Sequence, residues 1–139
     1  MIITLYSVGK NKEQWLEEAC SEYIKRLTPD AIVQTEWLRD DQQLIKATSK
    51  EKRLLCLDPL GKEFTSEQFS KYLIQELENS GARLGFVIGG PLGLPKELKE
   101  KHPLISLSKM TFTHQCTRLI LLEQIYRSFE IAKGSPYHK

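Results

Sequence analysis

Two short stretches of this chain combine residue types that act through the main chain more readily than through side chains. Gly89-Gly90-Pro91-Leu92-Gly93 sets three glycines around a proline. Glycine permits positive φ and close approach of the backbone to a ligand, and proline stiffens the turn. The spacing is neither GxGxxG nor GxxxxGK[ST], so the turn is not a dinucleotide fingerprint or a phosphate loop. Ser108-Lys109-Met110-Thr111-Phe112-Thr113 is a long polar segment, of the kind that carries function when it connects regular elements. His114 follows directly, with Arg118 four residues later on the same helical face. A helix start presents partial positive charge, so an imidazole there should stay neutral and be free to accept or donate a hydrogen bond. Glu123 and Arg127 have the spacing of an i,i+4 pair and read as structural. The tail carries Pro136, Tyr137, His138 and Lys139, an unusual composition for a frayed end. No Ser-His-Asp set and no metal-spaced cluster accompanies these residues, so hydrolytic and zinc chemistries lack support and no metal is expected.

The elements that must position these stretches follow from periodicity. Residues 2–8 are β-branched and aromatic, stop at Gly9, and read as a buried strand. Trp15, Ala19, Tyr23 and Leu27 recur every four residues, widened by Leu16, Cys20 and Ile24, and predict a helix that ends before Pro29. Residues 32–38 predict a second strand, residues 39–52 a short helix, and residues 53–57 a third strand closed by the turn Asp58-Pro59-Leu60-Gly61. Thr65 or Ser66 caps a helix striped by Phe69, Leu73 and Leu77. Residues 84–88 form a fourth strand leading into the glycine turn. Pro95 begins a short helix, residues 104–107 form a fifth strand, and Leu119, Leu122, Ile125, Tyr126 and Phe129 stripe a long final helix ending near Gly134. Strand and helix alternate, which predicts an α/β layer fold with a mostly parallel sheet. In such a sheet the ligand crevice lies beyond the carboxyl ends of the strands, after Leu57, Ile88 and Leu107.

The bulk numbers set limits. A length of 139 residues suits one compact domain, residues 1–139. With 40% hydrophobic and 27% charged residues the chain reads as an ordinary globular protein, and no apolar run reaches the roughly 20 residues of a membrane span. The N-terminus lacks the basic region and cleavage site of a secretory signal, so a cytoplasmic chain beginning at Met1 is expected. The net charge of +2 is too small for an argument about nucleic acid, although basic residues exceed acidic ones from Lys109 onward. Three cysteines at wide spacing read as buried thiols.

In order along the chain, residues 86–94, residues 107–115, the run Glu123-Gln124-Ile125-Tyr126-Arg127 and the ending Pro136-Tyr137-His138-Lys139 resemble the RlmH family. These are small SPOUT-class methyltransferases that methylate N3 of a pseudouridine in 23S ribosomal RNA. Residues 2–10 and 57–62 extend the resemblance to nearly the whole chain. Leu92 stands where the family usually has an acidic or small polar residue, Thr113 stands where proline is common, and residues 39–52 are shorter than usual. The resemblance implies helices on both sheet faces, a C-terminal trefoil knot, and S-adenosylmethionine held largely by backbone groups. Leu57, Gly89, Gly90 and Gly93 would touch that cofactor. Ser108, Lys109, Met110, Thr111, Phe112 and Thr113 would line its adenine and ribose. His114 and Arg118, with Tyr137 and His138, would orient the base and stabilise charge on its carbonyl oxygens. The resemblance also implies a homodimer acting on the assembled large ribosomal subunit. Two rival readings stand beside it: a non-enzymatic RNA-binding or ribosome-assembly factor with the same fold, and an enzyme binding a small nucleotide at the glycine turn.

Overall fold

A computed structural model describes residues 1–139. Five strands and five helices alternate: β1 (Ile2–Val8), α1 (Gln14–Leu27), β2 (Ile32–Leu38), α2 (Asp41–Thr48), β3 (Leu54–Glu63), α3 (Ser66–Asn79), β4 (Arg83–Ile88), α4 (Lys96–Lys101), β5 (Leu104–Ser106) and α5 (His114–Lys133). The sheet has the order β2-β1-β4-β3-β5, and every pairing is parallel.

Side chains alternate across the sheet and fill two cores, as a period of two requires. Ile3, Leu5, Leu55, Leu84 and Phe86 face the larger core under α1, α3 and α5. Tyr6, Leu54, Cys56 and Val87 face a smaller one, closed by Leu44 of α2 and Leu98 of α4. Both sheet faces are therefore covered, and β1 and β4 are buried along most of their length on both faces.

The helix ends follow their sequence signals. Thr65 and Gln68 form a reciprocal capping box on α3, and Asp40 caps α2 by accepting from Gln43 N. Thr113 caps α5 by accepting from Cys116 N. Gly134 ends α5 in the left-handed region, at φ 70°.

The third strand departs from expectation. Residues 58–61 do not close it: both Leu57 and Lys62 pair with Ile105, so the four residues between them bulge out of a strand that continues to Glu63. Gly61 makes this possible, because a Cβ there would lie 2.6 Å from Ile105 N. Asp58 Oδ1 stabilises the bulge by accepting from Leu60 N at 2.8 Å. No helix is long and apolar enough to cross a membrane.

Candidate functional site

The loops that follow β1, β4 and β5, together with the bulge of β3, surround a cavity of about 790 Å³, within the size range of small-molecule and cofactor sites. One wall is the glycine turn. Gly93 N donates to Gly90 O at 2.9 Å, and Gly93 sits at φ 89°, a conformation that glycine adopts without strain. A Cβ on Gly89 would lie 2.5 Å from Gly93 C, so the turn closes only around glycine. Leu92 projects from the tip, fully exposed. Leu57 and Gly89, Gly90 and Gly93 all line the cavity, as the sequence indicates.

The opposite wall is the loop into α5. Ser106 Oγ donates to Ser108 O and accepts from Ser108 N, and Ser108 Oγ accepts from Met110 N at 3.0 Å. These bonds fix the start of the loop, whereas the main-chain groups of Thr111 and Phe112 bond to nothing in the chain. Backbone polar groups that a protein leaves unpaired in a concavity are available to a ligand or to water. Ser108, Met110, Thr111, Phe112 and Thr113 line the cavity. Lys109 does not: it points away toward Glu63, 4.0 Å distant.

His114 opens α5 at the cavity wall. Partial burial, followed by the positive charges of Arg118 and Lys12, holds its pKa below the ordinary imidazole value. The neutral form expected from the helix start is favoured, with burial as the larger cause.

Arg118 does not reach the cavity. It is fully buried, and its guanidinium donates to Ser7 Oγ, Val8 O, Gly9 O and Asn11 Oδ1 while lying 4.1 Å from the Trp37 ring centroid. Burial lowers its pKa to about 10.

Tyr137 and His138 lie elsewhere in the same chain. The tail folds back on α5, where Tyr137 meets Tyr126 edge-on at 4.8 Å and Arg127 stacks 4.9 Å from the Tyr137 ring. Arg127 Nη1 lies 3.0 Å from His138 Nδ1, and because a guanidinium only donates, Nδ1 accepts and Nε2 is left to donate to Glu67. Burial, then contacts with Tyr23 and Glu123, push the Tyr137 phenol up to about 12. The fourteen helical residues from His114 to Arg127 span roughly 20 Å, so one chain does not bring the tail to the cavity.

Three residues join these sites that sequence reading placed otherwise. Trp15, counted in the core stripe of α1, is 58% exposed and lines the cavity mouth with Lys12. Cys116 is exposed at the same wall, whereas Cys20 and Cys56 are the buried thiols expected. Arg127, bonded to Glu123 at 2.7 Å as its spacing indicates, also organises the tail. The one available signal was the short separation in sequence between Arg127 and the tail.

A parallel sheet with its cavity at the strand ends, walled by a glycine turn and unpaired main chain, places a candidate ligand site where open α/β sheets bind their ligands. The family model described as "Predicted SPOUT methyltransferase" matches residues 1–138, and the chain belongs to the SPOUT methyltransferase family. Within it the chain groups with the RlmH proteins. It is 53% identical over 137 residues, covering 99% of this chain and 98% of the relative, to ribosomal RNA large subunit methyltransferase H of Protochlamydia amoebophila. It is 36% identical over 159 residues, covering all of both chains, to the protein of the same name from Carboxydothermus hydrogenoformans. A probable methylase family protein from Haemophilus influenzae shares the fold with a TM-score of 0.58 at 7% identity, covering 99% of this chain and 70% of that one.

Proposed function

We propose that the chain acts as one SPOUT methyltransferase domain over residues 1–139, transferring methyl from S-adenosylmethionine to N3 of a pseudouridine in 23S ribosomal RNA. The reading adds that it works in the cytoplasm as a homodimer on the assembled large subunit, with its C-terminal segment threaded as a trefoil knot. Support for the RNA substrate is the name carried by the relatives. Support for the cofactor is the cavity itself, and one observation carries the reading: a glycine turn and the unpaired main chain of Thr111 and Phe112 face each other across it.

The residues fit that cofactor. Leu57 and the turn Gly89–Gly93 offer an apolar wall without obstructing side chains, and residues 108–113 offer main-chain donors and acceptors to an adenine and its ribose. The bound cofactor supplies a methyl group on a sulfonium, which already has a good leaving group, so positioning is the protein's main task. N3 of the base must lose its proton as the new bond forms, and His114, held neutral at the cavity wall, accepts it or orients the ring. Tyr137 and His138 grip the base from the partner protomer, with Arg127 behind them, because RNA bases are commonly held by stacking on such side chains. Arg118 acts on this site indirectly.

The test is mass spectrometry of 23S RNA after incubating purified protein with ribosomes and S-adenosylmethionine. The expected product is one added methyl on a pseudouridine. Calorimetry showing no heat with S-adenosylmethionine would instead support a non-enzymatic RNA-binding factor.

A further inference from the structure

We propose that Arg118 is a positioning residue for His114, clamping the end of β1 and the loop after it beneath the imidazole. The inference rests on the reading of His114 as the group beside the acceptor base.

Arg118 is an unusual residue to bury completely, since a charge removed from water needs partners for every donor. No carboxylate pairs with it. Its partners all lie at the end of β1 or just beyond: Nε and Nη2 donate to Ser7 Oγ, Nη2 also to Val8 O at 2.8 Å and Gly9 O at 2.7 Å, and Nη1 to Asn11 Oδ1 at 2.8 Å. Asn11 Nδ2 in turn donates to Glu17 Oε2 at 2.7 Å, so the nearest acid is reached only through an amide. Trp37 covers the guanidinium face.

The clamped loop is the floor under His114. Gly9 lies so near that a Cβ on it would stand 3.6 Å from His114 Nε2. Lys12 N donates to Gln115 Oε1 at 3.1 Å, tying the loop to α5 a second time. One helical turn of α5 thus holds the loop through Gln115 and Arg118 and presents His114 between them.

The same arrangement sets the local field. The charged or titratable groups around His114 are Arg118 and Cys116 on α5, Lys12 and Glu13 from the loop, and Asp58 on β3 across the cavity, with Glu17 and Cys20 of α1 beside Arg118. Asp58 is already paired with Lys99 at 3.3 Å, and Glu17 is engaged by Asn11. The cations Arg118 and Lys12 therefore dominate, and both oppose protonation of the imidazole.

Two variants of the full-length protein test the clamp. Arg118→Met removes charge and bonds together, and Arg118→Lys keeps the charge but cannot span Ser7, Val8, Gly9 and Asn11 at once. Imidazole titration by NMR needs neither RNA nor cofactor, so it reports on the clamp even if methyl transfer is never seen. Arg118→Met should shift the His114 titration upward. Arg118→Lys should leave it near wild type while raising amide exchange at Lys12 and lowering kcat toward about 100-fold with KM little changed. An unchanged His114 titration in folded Arg118→Met overturns the proposal. If that variant does not fold, wild-type exchange at Lys12 and wild-type kcat in Arg118→Lys overturn it instead.

Discussion

At its N-terminal end α5 meets a hollow walled by glycines and unpaired main chain, while at its C-terminal end Arg127, Tyr137 and His138 are satisfied by one another and by Glu123 and Glu67. The first region offers main-chain donors and acceptors that the chain itself leaves unpaired. The second has the cationic and aromatic side chains suited to a nucleobase, but they lie outside that hollow. A helix separates them by roughly 20 Å, so neither half is a complete site. In the homodimer proposed above, two-fold symmetry would set the tail of each chain against the hollow of the other.

The largest expected effect comes from breaking this complementarity. Deleting residues 136–139 should lower methyl transfer by at least about 100-fold and leave S-adenosylmethionine affinity by calorimetry unchanged. Mixing that deletion with His114→Ala should then restore about a quarter of wild-type activity, since random exchange gives half heterodimers, each with one intact composite site. No recovery on mixing would place both halves in one chain.

The glycine turn gives the next largest effect and sharpens the description of the hollow. Gly89→Ala drives a methyl into Gly93 and Leu94 main chain and should destabilise by about 1–3 kcal/mol while abolishing cofactor binding. Gly90→Ala meets only Val8, at 3.5 Å, and should bind nearly as wild type. Equal affinities in the two variants would mean that the turn does not form the cofactor wall.

How much of this was readable beforehand depended on whether the cause was local. Strand and helix bounds followed from periodicity, and Thr65 and Gly134 marked helix ends, because those signals act within a few residues. The continuation of β3 to Glu63 was not legible: Pro59 and Gly61 look like a stop, and only pairing with β5 makes them a bulge. Arg118 and Arg127 show the same limit in the site. Spacing put Arg118 on the face of His114, correctly, but depth decides its role, and burial against β1 comes from tertiary packing. Arg127 formed its i,i+4 pair with Glu123 and yet also meets a tail ten residues later, which helical spacing cannot report. Trp15 shares a turn with Leu16 and faces outward because the cavity, not the core, lies beside it.

A smaller effect concerns pH at the cavity end alone. With the His114 pKa lowered by burial and by the cations Arg118 and Lys12, the imidazole remains able to take a proton below the free value of about 6.5. The acid limb of kcat should therefore lie below that value and disappear in His114→Gln. A limb at or above the free value would remove His114 as the group that titrates.

The smallest effect is on stability, and its sign follows from linkage. His102 and His114 both have lowered pKa values, each chiefly through burial. Between the folded value and about 6.5 the unfolded chain binds more protons than the folded one, so stability rises with pH through that window and falls on acidification. Glu76, held low mainly by its hydrogen bonds to Arg53, loses its contribution only from about pH 4.3 downward. The two causes therefore occupy separate windows. Urea midpoints measured from pH 7 to 5 should decline in the wild type and decline less in His114→Gln. Parallel declines in the two proteins would show that the imidazole at the cavity end is as free to charge in the folded chain as in the unfolded one.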